Sequence, residues 1–228
     1  MKPSGPGDPA SALGGNRIVK IIPIRATTLT PFNYGHLAVQ GGVATIPEII
    51  GDRAAAFALA AALGFMRASV VLPDKDYRVH LAAMPWRISV LETKHPRLLP
   101  PLARRSDLGI EGGYPDRVRR AAASGNFKEF FSIQEVPAGQ DYSGAVFGED
   151  PFERVRDAGD AIVVRIGSNR TGMLKIERDA SVETVRLNAA TALLFGRRLP
   201  VERYILHETQ LTGPMTLDEA ASEVGTWN

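Results

Sequence analysis

The segment from Asp160 to Arg178 constrains the fold more than any other part of the sequence. An apolar run, Ala161–Ile166, leads into the small basic turn Gly167–Gly172, and a second apolar run, Met173–Ile176, follows at once. Two apolar runs joined by a turn with glycine at both ends are typical of a β-hairpin. We therefore expect the chain to build an antiparallel sheet that includes this hairpin.

The same turn carries groups that bind phosphate. Its backbone N–H groups, hydroxyls and guanidinium come with little bulk, and no carboxylate lies between Asp160 and Glu177. The residues predicted to contact a phosphate backbone are Arg165, Ser168, Asn169, Arg170 and Lys175. A tight hairpin with good turn residues and no ligand explains the pattern equally well. The G-x-x-x-x-G-K pattern of a nucleotide-binding P-loop is missing, which excludes that class.

The first part of the chain predicts a strand, a loop and a helix. The β-branched run in Arg17–Thr30 indicates a strand. The loop Pro31–Gly42 carries two second-tier binding candidates, Tyr34 and His36. Thr45 and Glu48 have the spacing of a capping box, which predicts an apolar helix over Glu48–Leu63 that contains a third candidate, Arg53.

The middle of the chain, His95–Asn126, differs in character. It is rich in proline, glycine and arginine, and we expect a long excursion from the sheet with one short helix near Pro115–Ser124. The arginines predicted to contact phosphates or bases are Arg104, Arg105, Arg117, Arg119 and Arg120. The alternative is a solvated surface loop.

The remaining elements complete an α+β fold with mostly antiparallel strands. Strands are predicted at Ala68–Leu72, Arg78–Met84, Arg87–Thr93, Phe127–Val136, Ala145–Phe147 and Val201–His207. A strand at Val182–Leu187, a short helix at Asn188–Leu194 and a C-terminal helix at Thr216–Val224 follow from weaker patterns.

Composition limits the classes of partner and chemistry. The 228 residues have a net charge of +2, so a basic surface for nucleic acid must be local. The sequence has no cysteine, which excludes disulfides, thiolate zinc sites and cysteine nucleophiles. Residues 1–16 read as a flexible lead-in without a signal peptide, and no apolar stretch is long enough for a membrane span, so we expect a cytoplasmic protein with no membrane partner.

No catalytic or cofactor constellation emerges from the residue pattern. The four histidines, His36, His80, His95 and His207, lack metal-ligand spacing. His36 is the best candidate for catalysis or RNA contact, and the alternative is a histidine that packs the loop. We expect no catalytic residues, no metal and no cofactor.

Three segments together resemble a known family. They are IPEIIGDRAAAFALAAALGF (46–65), IVVRIGSNRTGMLKIE (162–177) and VRLN (185–188). In their order along residues 17–206 they are similar to the CRISPR-associated RAMP superfamily. Within it, the chain most resembles the Cas-five-type subunit that caps the foot of Cascade-like effectors, particularly the subtype I-D form, with a type IV capping subunit as the other option.

The resemblance implies a fold and a function. The fold would be a ferredoxin-like (RRM-like) antiparallel sheet, forming a single domain over residues 17–228 with an inserted thumb within about 77–136. The subunit would hold the 5′ handle of the CRISPR RNA (crRNA) and cap the backbone filament in antiviral and anti-plasmid defence. Its partners would be crRNA, the backbone subunit and the large subunit, with target DNA as an indirect partner.

Two other functions stay open at this point. One is a metal-independent endoribonuclease that processes precursor crRNA, with His36 as general base. The other is an assembly protein of the same fold that binds no RNA. The aromatic residues of an ordinary RRM strand are not evident in the sequence, and no catalytic set can be aligned.

Overall fold

The computed structural model describes residues 19–39, 42–65, 76–107, 128–158 and 160–227. The strands are β1 (Ile21–Thr28), β2 (Leu37–Val39), β3 (Gly42–Ala44), β4 (Ile49–Ile50), β5 (Trp86–Ile88), β6 (Leu91–Glu92), β7 (Leu102–Asp107), β8 (Lys128–Gln134), β9 (Asp141–Gly148), β10 (Ala161–Ile166), β11 (Gly172–Arg178), β12 (Thr184–Val185), β13 (Arg203–Leu206), β14 (Thr209–Leu211) and β15 (Met215–Thr216). The α-helices are α1 (Asp52–Ala62), α2 (Tyr77–Ala82), α3 (Ala189–Leu194) and α4 (Leu217–Val224), and 3₁₀ helices span Pro151–Ala158 and Ser168–Arg170.

The main sheet has seven strands, all paired antiparallel. Its order is β10-β11-β1-β9-β6-β4, and β5 also pairs with β9. In β1, Ile22, Ile24 and Ala26 are buried on one face, while Arg25 on the other face is exposed. This alternation is what a sheet with one covered face requires. The α+β class and the mostly antiparallel sheet are therefore confirmed.

The predicted hairpin forms the edge of this sheet. β10 and β11 pair from Ala161 opposite Glu177 to Ile166 opposite Gly172, and β11 pairs with β1. β1 and β10 thus run parallel with β11 between them, and α1 lies between these two strands in the sequence. This matches the first half of the β-α-β-β-α-β order. The strand on the other side of β1 is β9, which precedes the hairpin instead of following it, so the ferredoxin-like assignment stays a prediction.

Helix α1 packs alongside β10 and shares one apolar core with the sheet. Ala55, Ala56, Leu59 and Ala60 are all buried in that core. The small alanine side chains allow the helix to approach the strands closely.

The predicted start of this helix was wrong. Helix α1 begins at Asp52 after an N-cap at Gly51, without the capping box of Thr45 and Glu48. The Thr45 hydroxyl instead accepts a hydrogen bond from the Tyr34 N–H at 2.9 Å. Ile49 and Ile50 pair with β6, which keeps this stretch extended.

A second local prediction was also wrong, because helix α2 (Tyr77–Ala82) occupies most of the predicted strand Arg78–Met84. The Asp76 side chain accepts a hydrogen bond from the Val79 N–H and so caps α2. The strand predicted over Arg87–Thr93 is present as β5 and β6. The strand predicted at Ala68–Leu72 lies outside the described residues.

The C-terminal predictions are confirmed for both helices and the late strand. The Asn188 side chain accepts a hydrogen bond from the Ala190 N–H and caps α3. Thr216 and Glu219 form a complete capping box at the start of α4. The strand expected at Val201–His207 is β13, and only Thr184–Val185 of the stretch Val182–Leu187 is a strand.

The middle of the chain belongs to two sheets. β5 and β6 join the main sheet, whereas β7 and β8 pair with each other and join β2 and β3 in a separate sheet of order β2-β3-β8-β7. The β3–β8 pair is parallel. The excursion His95–Asn126 therefore contributes β7, which pairs with β8 directly after it. The short helix predicted near Pro115–Ser124 and the flexible lead-in 1–16 lie outside the described residues. The single domain and the thumb boundaries stay predictions.

In the described ranges, no helix is both long enough and apolar enough to span a membrane.

The hairpin turn generates a stability prediction. Gly167 has φ of +82°, and a Cβ there would lie 2.9 Å from the Asn33 carbonyl oxygen, whereas Gly196 has φ of +71° with open space around it. Gly196→Ala should lower the free energy of unfolding by about 1 kcal/mol through φ strain alone. Gly167→Ala should cost about 1–3 kcal/mol more, because backbone atoms must move. Urea unfolding of both variants measures the difference, and equal losses would contradict the close packing described for this turn.

Candidate nucleic-acid interface

The first loop packs directly on the hairpin turn. Phe32 is fully buried, and the Ser168 N–H donates a hydrogen bond of 2.6 Å to the Asn33 carbonyl. A Cβ at Gly172 would overlap the Cβ of Phe32, so glycine is needed for this close approach. Two segments far apart in the sequence are thereby held against each other.

This contact places an aromatic pair beside the turn. The rings of Tyr34 and His36 stack with centroids 5.1 Å apart and an interplanar angle of 24°. Phe32 contacts Tyr34 edge-on at 5.5 Å and anchors it from the core side. The loop is therefore an ordered aromatic wall, built on the buried ring of Phe32.

Two arginines of the β10–β11 hairpin also lie at this turn. Arg165 is exposed on β10, and its Nη1 donates a hydrogen bond of 3.5 Å to the Arg170 carbonyl. Arg170 is exposed and holds a positive φ of 54°. Within the described part of the chain, neither guanidinium forms a salt bridge with a carboxylate, so both are available to an anion.

The backbone of the turn is less available than the sequence indicated. The Ser168 N–H is bonded to Asn33, and the Arg170 N–H donates to the Gly167 carbonyl at 3.0 Å. These two donors are already satisfied inside the protein. Anion contact here would therefore depend mainly on the guanidinium groups.

A cleft connects these residues to helix α1. It consists of a larger cavity of about 740 Å³ and a smaller one of about 450 Å³. Both are lined by Tyr34, Ala54, Phe57, Gly167 and Arg170; Arg165 lines the smaller cavity, and His36 and Arg53 line the larger one. Candidates from three separate sequence segments thus meet at one concave surface.

Arg53 lies in the cleft, but its guanidinium is already engaged. Its Nε donates to the Thr191 hydroxyl at 2.9 Å and its Nη2 to the Ala190 carbonyl at 3.0 Å. Its Nη1 lies 3.4 Å from a carboxylate oxygen of Glu208, and only 13% of the side chain is exposed. These contacts tie α1 to α3 and to the β13–β14 hairpin, a structural task that the sequence did not reveal.

The larger cavity includes residues that sequence reasoning missed. Phe57, Tyr77, His80 and Glu208 all line it. Phe57 meets Tyr77 edge-on at 5.9 Å and His80 at 6.2 Å. The i, i+3 spacing of Tyr77 and His80 would have been a signal if this segment had been predicted as a helix.

The other predicted residues lie elsewhere. Lys175 on β11 lines neither cavity, and its ammonium lies 2.9 Å from the Glu177 carboxylate. Ser168 is exposed in the turn, and Asn169 belongs to the same 3₁₀ helix. Arg104 and Arg105 are on β7, in register with Phe131 and Phe130 of β8. Arg117, Arg119 and Arg120 lie outside the described residues.

Burial sets the protonation of the aromatic wall. It lowers the pKa of His36 below the ordinary value, which favours a neutral imidazole at neutral pH. The Nδ1 of His36 is buried and has no hydrogen-bond partner in the ranges that the structure describes. Burial raises the pKa of Tyr34 to about 12, against a smaller opposing effect of the Gly167 backbone. The wall is thus uncharged, beside two permanent cations.

Comparisons with known proteins add little to this geometry. No family model matches the sequence, and no curated protein matches it. Among solved structures, the chain is similar to one described as "Type IV-B CRISPR Complex", with 12% identity and a TM-score of 0.38 over 82% of this chain and 96% of that chain. At this identity and TM-score, the similarity does not establish a shared fold or function.

The environment of His36 predicts a pH dependence of stability. Because its pKa is lower in the folded protein than in the unfolded chain, the unfolded chain binds the proton first as the pH falls through about 6.5. The free energy of unfolding should therefore decrease on acidification, until the pH is below the folded pKa. His36→Gln should flatten this slope between about pH 7 and pH 5.

Urea unfolding at several pH values measures the slope, with the exposed His95→Gln as a control for loss of one imidazole. An NMR titration of His36 gives the pKa directly. A midpoint at or above the ordinary histidine value would contradict the buried environment described for this ring.

Proposed function

We propose that the cleft binds single-stranded RNA, and that the protein is a non-catalytic crRNA-binding subunit of a CRISPR effector complex. It would hold the 5′ handle and cap the backbone filament, next to a backbone subunit and the large subunit, with target DNA as an indirect partner. The observation that carries RNA binding is the convergence of Arg165 and Arg170, which form no salt bridge in the described residues, with the stacked rings of Tyr34 and His36. The CRISPR context rests on the sequence resemblance.

The chemistry of the cleft fits single strands better than a duplex. Proteins hold single-stranded RNA through cations that follow the backbone and aromatic rings on which unstacked bases lie. Arg165 and Arg170 supply the cations, and Tyr34 and His36 supply a ring surface. A cleft between a helix and a hairpin edge suits an extended strand, whereas duplex RNA is recognised across its wide minor groove.

A local cluster of positive charge is sufficient for binding single-stranded RNA. The chain has a net charge of only +2, and the Glu177 carboxylate on β11 lies near both Lys175 of the same strand and Arg25 of β1. Among the described residues, the guanidiniums of Arg165 and Arg170 have no carboxylate partner, and in this they differ from the paired cations on the neighbouring strands. Affinity for RNA should thus depend on few phosphate contacts and show a moderate salt dependence.

Replacement of the two arginines tests the binding site. Arg165→Gln with Arg170→Asn should weaken binding of a short fluorescein-labelled single-stranded RNA about tenfold, and lower the salt slope of log K by about 1.4, or 0.7 for each lost phosphate contact. Asn at position 170 tolerates the positive φ. Fluorescence anisotropy across a salt series measures both quantities.

One variant outside the cleft controls for general loss of positive charge. Arg198→Gln, which removes an exposed arginine outside the cleft, should leave the affinity and the slope nearly unchanged. Lys175→Ala tests the predicted contribution of that lysine separately. Unchanged affinity in the Arg165/Arg170 double variant would overturn the proposed site. Protein purified from its native host without nucleic acid, by its absorbance ratio, would favour an assembly protein that binds no RNA.

One observation favours a second function, RNA cleavage. The cleft contains His36, whose lowered pKa suits a general base, and it also contains His80, the second histidine that the sequence did not connect to it. A metal-independent endoribonuclease needs such a base near the 2′-hydroxyl, and a proton donor for the leaving oxygen.

Incubation of the protein with precursor CRISPR RNA in EDTA separates the two functions. The non-catalytic proposal predicts intact RNA. Discrete products that are lost in His36→Ala, and lost again when the 2′-hydroxyl at the cut site is removed, would establish the endoribonuclease instead. The His95→Ala variant controls for removal of an unrelated histidine.

A further inference from the structure

We propose that the larger cavity of the cleft, here called the chamber, accepts one unstacked nucleobase whose 5′ or 3′ phosphate lies at Arg170. The inference rests on the proposed function and adds to it the kind of group that enters the chamber. It also assigns a base preference, for bases that carry an exocyclic amine, to the carboxylate of Glu208.

The size and lining of the chamber suit a base. Its volume of about 740 Å³ lies in the range of small-molecule sites, and most of its lining is apolar or aromatic. Ile49 and Met84 are buried beneath it, while Phe57 and Tyr77 are only partly buried. The Arg53 guanidinium covers one face of Tyr77, 5.2 Å from the ring centroid, and the remaining partly buried ring surface leaves aromatic area for a planar ligand.

The aromatic residues form two walls. One wall is the Tyr34–His36 stack, and the other is the edge-on cluster of Phe57 with Tyr77 and His80. Stacking on aromatic rings is how proteins stabilise a base that has left its strand. A planar base is therefore the group that the chamber fits best.

The charges divide the chamber into a mouth and an inner end. Arg170 lines both cavities of the cleft and has no salt bridge in the described residues, and because it is exposed we place the mouth at this residue. At the inner end, Asp52 is buried and accepts a hydrogen bond from the Asn188 side chain at 2.8 Å. Arg53 is held by Thr191, Ala190 and Glu208. The inner end therefore offers no free cation to a phosphate, whereas the mouth does.

Glu208 gives the chamber a selective acceptor. Its side chain is 65% exposed and lines the chamber but not the smaller cavity, and Arg53 contacts one of its carboxylate oxygens. A carboxylate accepts hydrogen bonds and donates none when ionised. It suits the exocyclic amine of adenine, cytosine or guanine, and disfavours the carbonyl edges of uracil.

An abasic scan tests the chamber. A short single-stranded RNA is made with one abasic nucleotide at each position in turn, and its affinity is measured by anisotropy. One position should show a loss of about 5- to 100-fold from lost stacking, and the others much less. In Tyr77→Leu this penalty should nearly disappear, while Tyr204→Leu, which removes an exposed ring outside the chamber, should retain it.

A second variant, Glu208→Gln, provides a test that does not depend on whether the Tyr77→Leu protein folds correctly. At the sensitive position, cytidine should bind several-fold tighter than uridine, and Glu208→Gln should reduce that preference, because the amide can also donate to a uracil carbonyl. A difference in affinity between cytidine and uridine that is the same in Glu208→Gln and in the parent protein would overturn the role of Glu208.

The remaining outcomes separate the two proposals. RNA binding without a sensitive position, or with a penalty that is equal in Tyr77→Leu and the parent protein, overturns the chamber and leaves the RNA-binding function intact. Absence of any RNA binding overturns both. Adenosine monophosphate is tested alone as well, and binding tighter than that of the RNA would assign the chamber to a free nucleotide and overturn the inference.

Discussion

The contact between the first loop and the hairpin turn is the constraint on which the candidate site depends. Phe32 is fully buried against Gly172, and the Asn33 carbonyl accepts the Ser168 N–H at 2.6 Å. Tyr34 and His36 extend from this contact, and Arg170 lies within the turn that the contact fixes. Without the close approach that the two glycines allow, the rings and the guanidiniums would not face the same cleft.

A second network fixes the opposite side of the cleft. Arg53 and Asp52 at the start of α1 bond to Thr191, Ala190 and Asn188 around the start of α3, and Arg53 also reaches Glu208. Because these polar groups are buried or partly buried and bonded to one another, they hold the helix in place and do not serve an anion. The cleft thus has one wall set by backbone packing and another set by a polar network, with its free cations at the edge.

The sequence predicted local structure well where local chemistry decides it. The β10–β11 hairpin and the helices predicted at Asn188–Leu194 and Thr216–Val224 all form, and the caps that start these helices come from residues close together in the chain. The capping box predicted at Thr45 and Glu48 does not form, because the N–H of Tyr34 in the preceding loop donates a hydrogen bond to the Thr45 hydroxyl. The strand predicted over Arg78–Met84 was wrong because the Asp76 side chain caps a helix there, and the apolar pattern gave no indication of that cap.

The candidate site was predictable by residue type but not by arrangement. Tyr34, His36, Arg165 and Arg170 were identified from their own segments, yet only the folded chain brings them together. Arg53 was identified as a binding residue from its charge, and its hydrogen-bond partners lie in α3 and the β13–β14 hairpin. Tyr77 and His80 were missed because most of their segment was predicted as a strand, on which their i, i+3 spacing has no meaning. Glu208 was missed because nothing in its local sequence points to a shared cavity.

Photocrosslinking tests the central claim, that single-stranded RNA lies in this cleft, most directly. The RNA carries 4-thiouridine at successive positions, and mass spectrometry identifies the crosslinked peptides. We expect crosslinks to concentrate in the segments that contain Tyr34–His36, Phe57, Tyr77–His80 and Arg165–Arg170, which line the cleft. Crosslinks confined to other surfaces, such as helix α4 or the segment around Arg198, which line neither cavity, would contradict the account.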